Sequence, residues 1–257
     1  PVPLSVNGRS DDPYLPRFTW SPDSKKLVVT QLRRGDEREV SIIESAPSDQ
    51  LQPKVHTFRY DKPGDKIDQQ RPRLFDIESK KAVPISEELF SNPWSVSEIR
   101  WSEDSSRFTF LYNERGHQTF RLIEVDAQAG SARAIIDERS PTFFDYAHKR
   151  FTHYLDSTNE IIWMSERDGW NHLYLYDSQT GEVKNQITRG PWVVRSVERV
   201  DEASRQVWLR VSGYHQDQDP YYLHLARVNL DGTDFTMLTA ADGSHRWSFS
   251  PDGRYLI

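Results

Sequence analysis

The run Phe18-Thr-Trp-Ser-Pro-Asp-Ser-Lys-Lys-Leu27 returns as Ile99-Arg-Trp-Ser-Glu-Asp-Ser-Ser-Arg-Phe108, and again as Trp247-Ser-Phe-Ser-Pro-Asp-Gly-Arg-Tyr-Leu256. Each copy reads as a strand, a tight turn built from Ser, Asp and Gly or Ser, and a second strand. A second unit repeats around it: a strand ending in Asp or Asn, a turn, and another strand. Its members are Asp76, Asp126 with Gly130, Asp177 with Gly181, and Asn229 with Asp231-Gly232. The intervals between them are 50, 51 and 52 residues. So constant a period, with about four strands in each repeat, is the mark of a β-propeller.

Short alternating runs fill the repeats, among them Lys26–Leu32, Arg38–Ile43, Arg107–Tyr112, Thr119–Val125, Ile161–Ser165 and Gln206–Val211. They are rich in Val, Ile, Thr and aromatics and are bounded by turn formers, so they read as strands. The fold class is therefore all-β. Only Ser86–Phe90 suggests a helical turn, with Ser86 as its N-cap and Glu87 and Glu88 in the first turn. The first repeat is longer than the rest: Trp20 to Asp76 is 56 residues, whereas Trp101 to Asp126 is 25. About 31 residues are therefore inserted near 35–68, as a loop or an extra hairpin.

Blades are expected at about 17–96, 97–142, 143–192 and 193–243, with a further blade starting at 245–257. Residues 1–16 read as the tail of a preceding blade. Four and a half blades do not close a ring, and an unclosed ring exposes strand edges. The expectation is a partial propeller cut from a longer chain.

The 257 residues carry 33 basic and 39 acidic side chains, and the net charge of −6 gives no general attraction to nucleic acid or an anionic membrane. No apolar run exceeds four residues, so no membrane span is expected in this segment. With no cysteine there is no disulfide framework, no thiolate metal site and no cysteine nucleophile. The Gly-x-Ser-x-Gly elbow, His-Glu-x-x-His and Gly-rich phosphate loops are absent, and the eight histidines show no ligand spacing. No metal, no cofactor and no catalytic residue is expected here.

The Asp residues of the repeated turns, Asp23, Asp104 and Asp252, read as turn formers. Within Ser165-Glu-Arg-Asp-Gly-Trp-Asn-His-Leu-Tyr174, Asp168 and His172 are expected to tie turn to strand. Arg115 and Arg167 sit in segments denser in polar groups than a hairpin needs, which makes them candidates for contact with substrate. Asp11-Asp12 reads either as a plain turn before Pro13 or as a carboxylate pair available to a ligand.

The order Trp20-Ser-Pro-Asp-Ser, Tyr60-Asp-Lys-Pro-Gly-Asp65, Ser165-Glu-Arg-Asp-Gly-Trp-Asn-His-Leu-Tyr174, Ile187-Thr-Arg-Gly-Pro-Trp-Val-Val194 and Ser248-Phe-Ser-Pro-Asp-Gly-Arg-Tyr255 resembles the N-terminal propeller of dipeptidyl peptidase IV-like serine peptidases. These motifs cover almost the whole chain, and the third and fourth are the most specific. The resemblance implies an eight-bladed propeller joined to a C-terminal α/β-hydrolase domain with a Ser-Asp-His triad. It implies that the propeller walls off the active site, admits short peptides and anchors their free N-terminus. It allows a homodimer of the parent and favours a periplasmic or secreted compartment. The family carries a Glu-Glu pair shortly before the blade that opens Trp-Ser-Pro; the matching stretch here, Ser10 to Trp20, holds Asp11-Asp12 instead. The expected function is a non-catalytic domain that gates and positions peptides for a hydrolase outside this chain. The rival is a protein- or glycan-binding propeller with no hydrolase attached.

Overall fold

The computed structural model describes residues 3–257 and is built from β-strands. It falls into two compact units, one extending to Pro141 and the other covering Thr142–Ile257. Each unit contains two four-stranded antiparallel sheets. These sheets are blades of a partial β-propeller.

In the first unit, one sheet orders β1 (Tyr14–Trp20), β2 (Lys26–Arg33), β5 (Gln69–Asp76) and β6 (Lys81–Val83). The insertion between β2 and β5 contains the hairpin of β3 (Glu39–Glu44) and β4 (Lys54–Arg59), a sheet of two strands only. Ile42, Ile43, Val55 and Phe58 of this arm are all exposed. The other sheet of the unit runs in simple order through β7 (Pro93–Trp101), β8 (Arg107–Glu114), β9 (Thr119–Asp126) and β10 (Ala132–Arg139). The two sheets share a core in which Val28 and Leu74 meet Phe108, Phe110, Tyr112 and Ile123. Phe90 closes it edge-on to Phe110, with centroids 5.2 Å apart.

The second unit repeats the arrangement. One sheet holds β11 (Thr152–Leu155), β12 (Glu160–Ser165), β13 (His172–Asp177) and β14 (Val183–Gln186). Its neighbour holds β15 (Val193–Asp201), β16 (Gln206–Ser212), β17 (His224–Asn229) and β18 (Thr236–Met237). Along β16, Val207, Leu209 and Val211 point into the shared core, while Gln206, Trp208 and Arg210 are only partly covered. That outer face is met by the start of the next repeat: Arg210 lies over the Trp247 ring at 4.9 Å, and Trp247 Nε1 donates to Glu198. Glu160, buried at the start of β12, accepts from Arg205 Nη1 at 2.7 Å and from Lys184 and Thr158. Burial alone would raise its carboxyl, yet these donors outweigh burial and hold it at about 2.

The repeated turn has one geometry in all three copies. The hydroxyls of Ser21, Ser102 and Ser250 each donate to the following aspartate, Asp23, Asp104 or Asp252, at 2.6 Å. The same carboxylate oxygen accepts the backbone N–H two residues on, from Lys25, Ser106 or Arg254. The fourth turn position is left-handed, at φ 59° for Ser24 and Ser105 and 69° for Gly253. Asp126 and Asp177 do the same for the later turn, accepting from Gln128 and Ala129 and from Gln179 and Thr180.

The Ser86–Phe90 expectation needs correction. The turn is a single 3-10 turn, Glu88–Phe90, with Glu87 at its N-terminal boundary and no side-chain cap. Ser86 instead gives its backbone N–H to the Gly130 carbonyl, and Glu87 reaches sideways to Arg71 and Arg73. Tertiary ion pairing took the carboxylate that the local reading assigned to the helix terminus.

Asp104 supplies the test of the turn. The Ser102 hydroxyl and then the Ser106 N–H and hydroxyl hold its carboxyl at about 2. A folded value below the unfolded one contributes stability above the ordinary carboxylate range, and that contribution fades as pH falls toward 2. Asp104→Ala is expected to cost about 1 kcal/mol at pH 7, the net worth of such bonds at an exposed turn. Chemical denaturation at pH 7 and pH 2.5 checks this, and an equal loss at both values would contradict it.

Candidate functional site

Antiparallel registry sorts the connections of each sheet to two ends. Lys26 pairs with Asp76, so the Ser21–Lys25 turn and the Asp76 turn share one end of the first sheet. Arg33 pairs with Gln69 at the other end, where β1 also begins. The same logic puts the Asp104 and Asp126 turns at one end of the second sheet and the β8–β9 turn at the other. In the third sheet Asp177 pairs with Glu160, opposite the Ser165–His172 connection. Asp11, Asp12, Arg115 and Arg167 all lie at the end away from the aspartate turns of their own sheet.

In the first unit, residues 9–12 form a tight turn closed by reciprocal backbone bonds between Arg9 and Asp12. The Asp11 carbonyl accepts from Arg34 N and the Asp12 carbonyl from Gln31 Nε2. Their backbones are thus fixed, while no hydrogen bond to either carboxylate is present among the described residues. Asp11 is exposed; Asp12 is half-buried and its charge acts on the buried Arg71. Asp11 is therefore the freer carboxylate of the pair. Arg115 stands in the β8–β9 turn, half-buried, with its backbone N–H on the Asn92 carbonyl at 3.0 Å. At the same end of the sheet, Trp94 and His117 meet edge to face, 5.0 Å apart. Sequence reading set His117 in the polar segment of Arg115 but passed over Trp94; the signal that finds it is the sheet end it shares with Arg115.

A groove of about 540 Å³ opens between β1 and β7, lined by Arg17, Phe18, Thr30, Gln70, Val96 and Glu98. Both bordering strands are bulged there, β1 between Tyr14 and Phe18 and β7 between Ser97 and Arg100. Bulges re-aim side chains and break pairing, and Glu98 takes φ 55° within one of them.

In the second unit Arg167 is exposed at the tip of its connection, but its guanidinium is engaged. It lies over the Tyr174 ring at 4.3 Å and the Tyr176 ring at 5.4 Å, and Nε donates to Ser165 Oγ at 3.0 Å. Asp168 accepts from Trp170 N and from Gln186 Nε2. His172 ties its strand to the segment after β14: it bonds Thr188 Oγ1 through Nδ1 and the Gly190 carbonyl through Nε2, both at 2.9 Å. A carbonyl only accepts, so Nε2 carries the proton. The Thr188 hydroxyl then donates to Nδ1 while accepting from Leu173 N. Burial pushes the imidazole below its ordinary value and keeps it neutral. Asn171 adds a bond to the Val194 carbonyl, and Trp192 packs edge-on against His172 at 4.8 Å. The two most specific motifs of the sequence are one interlocked structural joint.

The family model of the dipeptidyl peptidase IV N-terminal region matches residues 13–257. This chain belongs to that family. Dipeptidyl peptidase 4 of Arthroderma otae is 24% identical over 212 residues, covering 80% of this chain and 27% of that protein. Dipeptidyl peptidase 4 of Trichophyton rubrum is 23% identical over the same length, with the same shares. The chain thus spans about a quarter of these curated relatives. Among solved structures, Porphyromonas gingivalis dipeptidyl peptidase 4 superposes with a TM-score of 0.70 at 21% identity, over 93% of this chain and 33% of that one. Asp11 and Asp12 precede the matched residues.

Chemically, this end of the sheets offers carboxylates and a guanidinium able to bind charged groups. Among the described residues no three His, Asp or Glu side chains form a metal position.

The joint makes a sharp demand at Gly190. Its φ is 129°, and a Cβ there would stand 2.5 Å from Trp192 Nε1. Gly190→Ala must displace the buried Trp192 and is expected to cost about 1–3 kcal/mol. Equilibrium unfolding measures this; wild-type stability in the variant would contradict the joint.

Proposed function

We propose that this chain is a non-catalytic part of a dipeptidyl peptidase IV-like serine peptidase, where it gates access to a hydrolase domain and helps position short peptides. Family membership over residues 13–257 supports the association with such enzymes. The observation that carries the positioning role is the pair of carboxylates at Asp11 and Asp12, held by backbone bonds and unclaimed by hydrogen-bonding side chains.

A peptide's N-terminal ammonium is the cation such a pair would take. Asp11, exposed and free of Arg71, carries most of the contact. Asp is one methylene shorter than Glu, so its carboxylate reaches about 1.5 Å less from the backbone. The fixed turn at residues 9–12 must bring it forward. Arg115 faces the same end and suits a peptide carbonyl or carboxylate. Arg167, engaged with Tyr174 and Tyr176, serves as a spacer at its sheet end. The exposed apolar residues of the β3–β4 arm supply a surface for a homodimer of the parent.

A charge-assisted contact of this kind is worth about 1.5–3 kcal/mol, or roughly ten- to a hundredfold in affinity. Asp11→Asn with Asp12→Asn in the full-length parent should raise KM selectively for peptides with a free N-terminus, leaving acetylated peptides unchanged. Asp11→Asn alone should give most of the effect. Identical kinetics for both peptides before and after the changes would remove the anchor and leave residues 9–12 as a turn.

A further inference from the structure

Three histidines far apart in the sequence meet at one end of the fourth sheet. His224 opens β17, paired with Val211 at the close of β16, and is 2% exposed. Its ring lies 4.8 Å from that of His215, in the β16–β17 connection, and 5.1 Å from that of His245, in the segment after β18. The first pair meets edge-on and the second tilted, and among the described residues they form no common metal position.

Their hydrogen bonding is incomplete. His224 Nδ1 faces the Thr239 carbonyl at 3.2 Å and so carries the proton of the neutral ring. His215 Nε2 and His245 Nδ1 are buried without a partner, as is Gln218 Oε1 beside them. Few other bonds hold the two segments together: His245 N to the Leu223 carbonyl, Leu223 N to Ser244 Oγ, and Gln218 Nε2 to the Ala240 carbonyl. Tyr214, next to His215, stacks edge-on with it and with Trp192. Asp217 and Asp219 on the connection, and Asp242 and Arg246 on the facing segment, complete the ionisable groups of the two segments apart from Tyr221 and Tyr222. The charges that act on His224 are those of His215 and His245, with no carboxylate among them.

We propose that His215, His224 and His245 form an acid-released latch that clasps the β16–β17 connection to the segment at 239–247. Neutral rings pack; an imidazolium at His224 meets buried surroundings and two neighbours of the same potential charge, and no carboxylate acts on it. Protonation is therefore relieved by opening the two segments to water. The sign agrees with the surroundings of His224, where burial pushes the imidazole below its ordinary value. The open state then binds the proton more readily, and opening grows as pH falls below the range of a free histidine. Both segments lie at the end of the fourth sheet away from its Asp201 and Asn229 turns. The inference stands on this chain alone, whatever its parent does.

Amide hydrogen exchange of this chain at pH 7.5 and 5.0, corrected for intrinsic rates, tests it. Residues 213–223 and 239–247 should lose protection roughly tenfold relative to the β12–β13 pair, since each proton taken up on opening allows up to about tenfold per pH unit. In His224→Gln the acid response should vanish while protection at pH 7.5 persists. No loosening in the wild type, uniform loosening of the unit, or an unchanged response in the variant would overturn the latch. If the variant does not fold, the proton resonances of the wild-type His224 ring decide: a depressed titration supports the latch, and one like free histidine refutes it.

Discussion

One short interaction recurs at the first hairpin of three repeats: a serine hydroxyl and a backbone N–H converging on a single aspartate oxygen. At Ser21–Lys25, Ser102–Ser106 and Ser250–Arg254 it closes the first hairpin of a repeat with the same distances and the same left-handed fourth residue. It satisfies donors that a tight turn would otherwise leave to water, and it fixes which residues of the two strands face each other. The links between neighbouring sheets use it as well. Asp23 N donates to Ser105 Oγ at 3.0 Å, joining the turn of one sheet to that of the next within the first unit.

Fixing every aspartate turn at one end of its sheet frees the other end from that duty. There the connections differ in length and chemistry: the long arm after β2, the tight β8–β9 turn with Arg115 and His117, and the Ser165–His172 joint. Strand bulges in β1, β7 and β15 add variation to the first strand of three sheets. A scaffold repeated at one end and diversified at the other is how a propeller can hold a shared fold while shaping a particular binding surface.

Much of this was legible in the sequence, because turn chemistry and strand alternation are local. The three Ser-x-Asp turns, the strands around them and the family motifs needed no knowledge of distant contacts. What local reading missed was the choice of partner. Glu87 left the helical turn for Arg71 and Arg73, and the partners of His172, Thr188 and Gly190, lie 16 and 18 residues further along the chain. Arg167 looked available to a ligand but is held over two tyrosine rings, whereas Asp11 keeps an exposed carboxylate. The histidine stack could not be seen at all, since its members are separated by 9 and 21 residues and only the return of the chain after β18 brings them together.

The gating proposed for this propeller segment is tested most directly by comparing kcat/KM of the full-length parent for a short free peptide and for the same sequence displayed on a flexible N-terminal tail of a folded protein. The tail is cut as short as the expected reach of the active site. Gating predicts efficient cleavage of the peptide and a large loss with the folded cargo, recovered as the tail is lengthened. Equal kcat/KM for peptide and cargo at every tail length would contradict it.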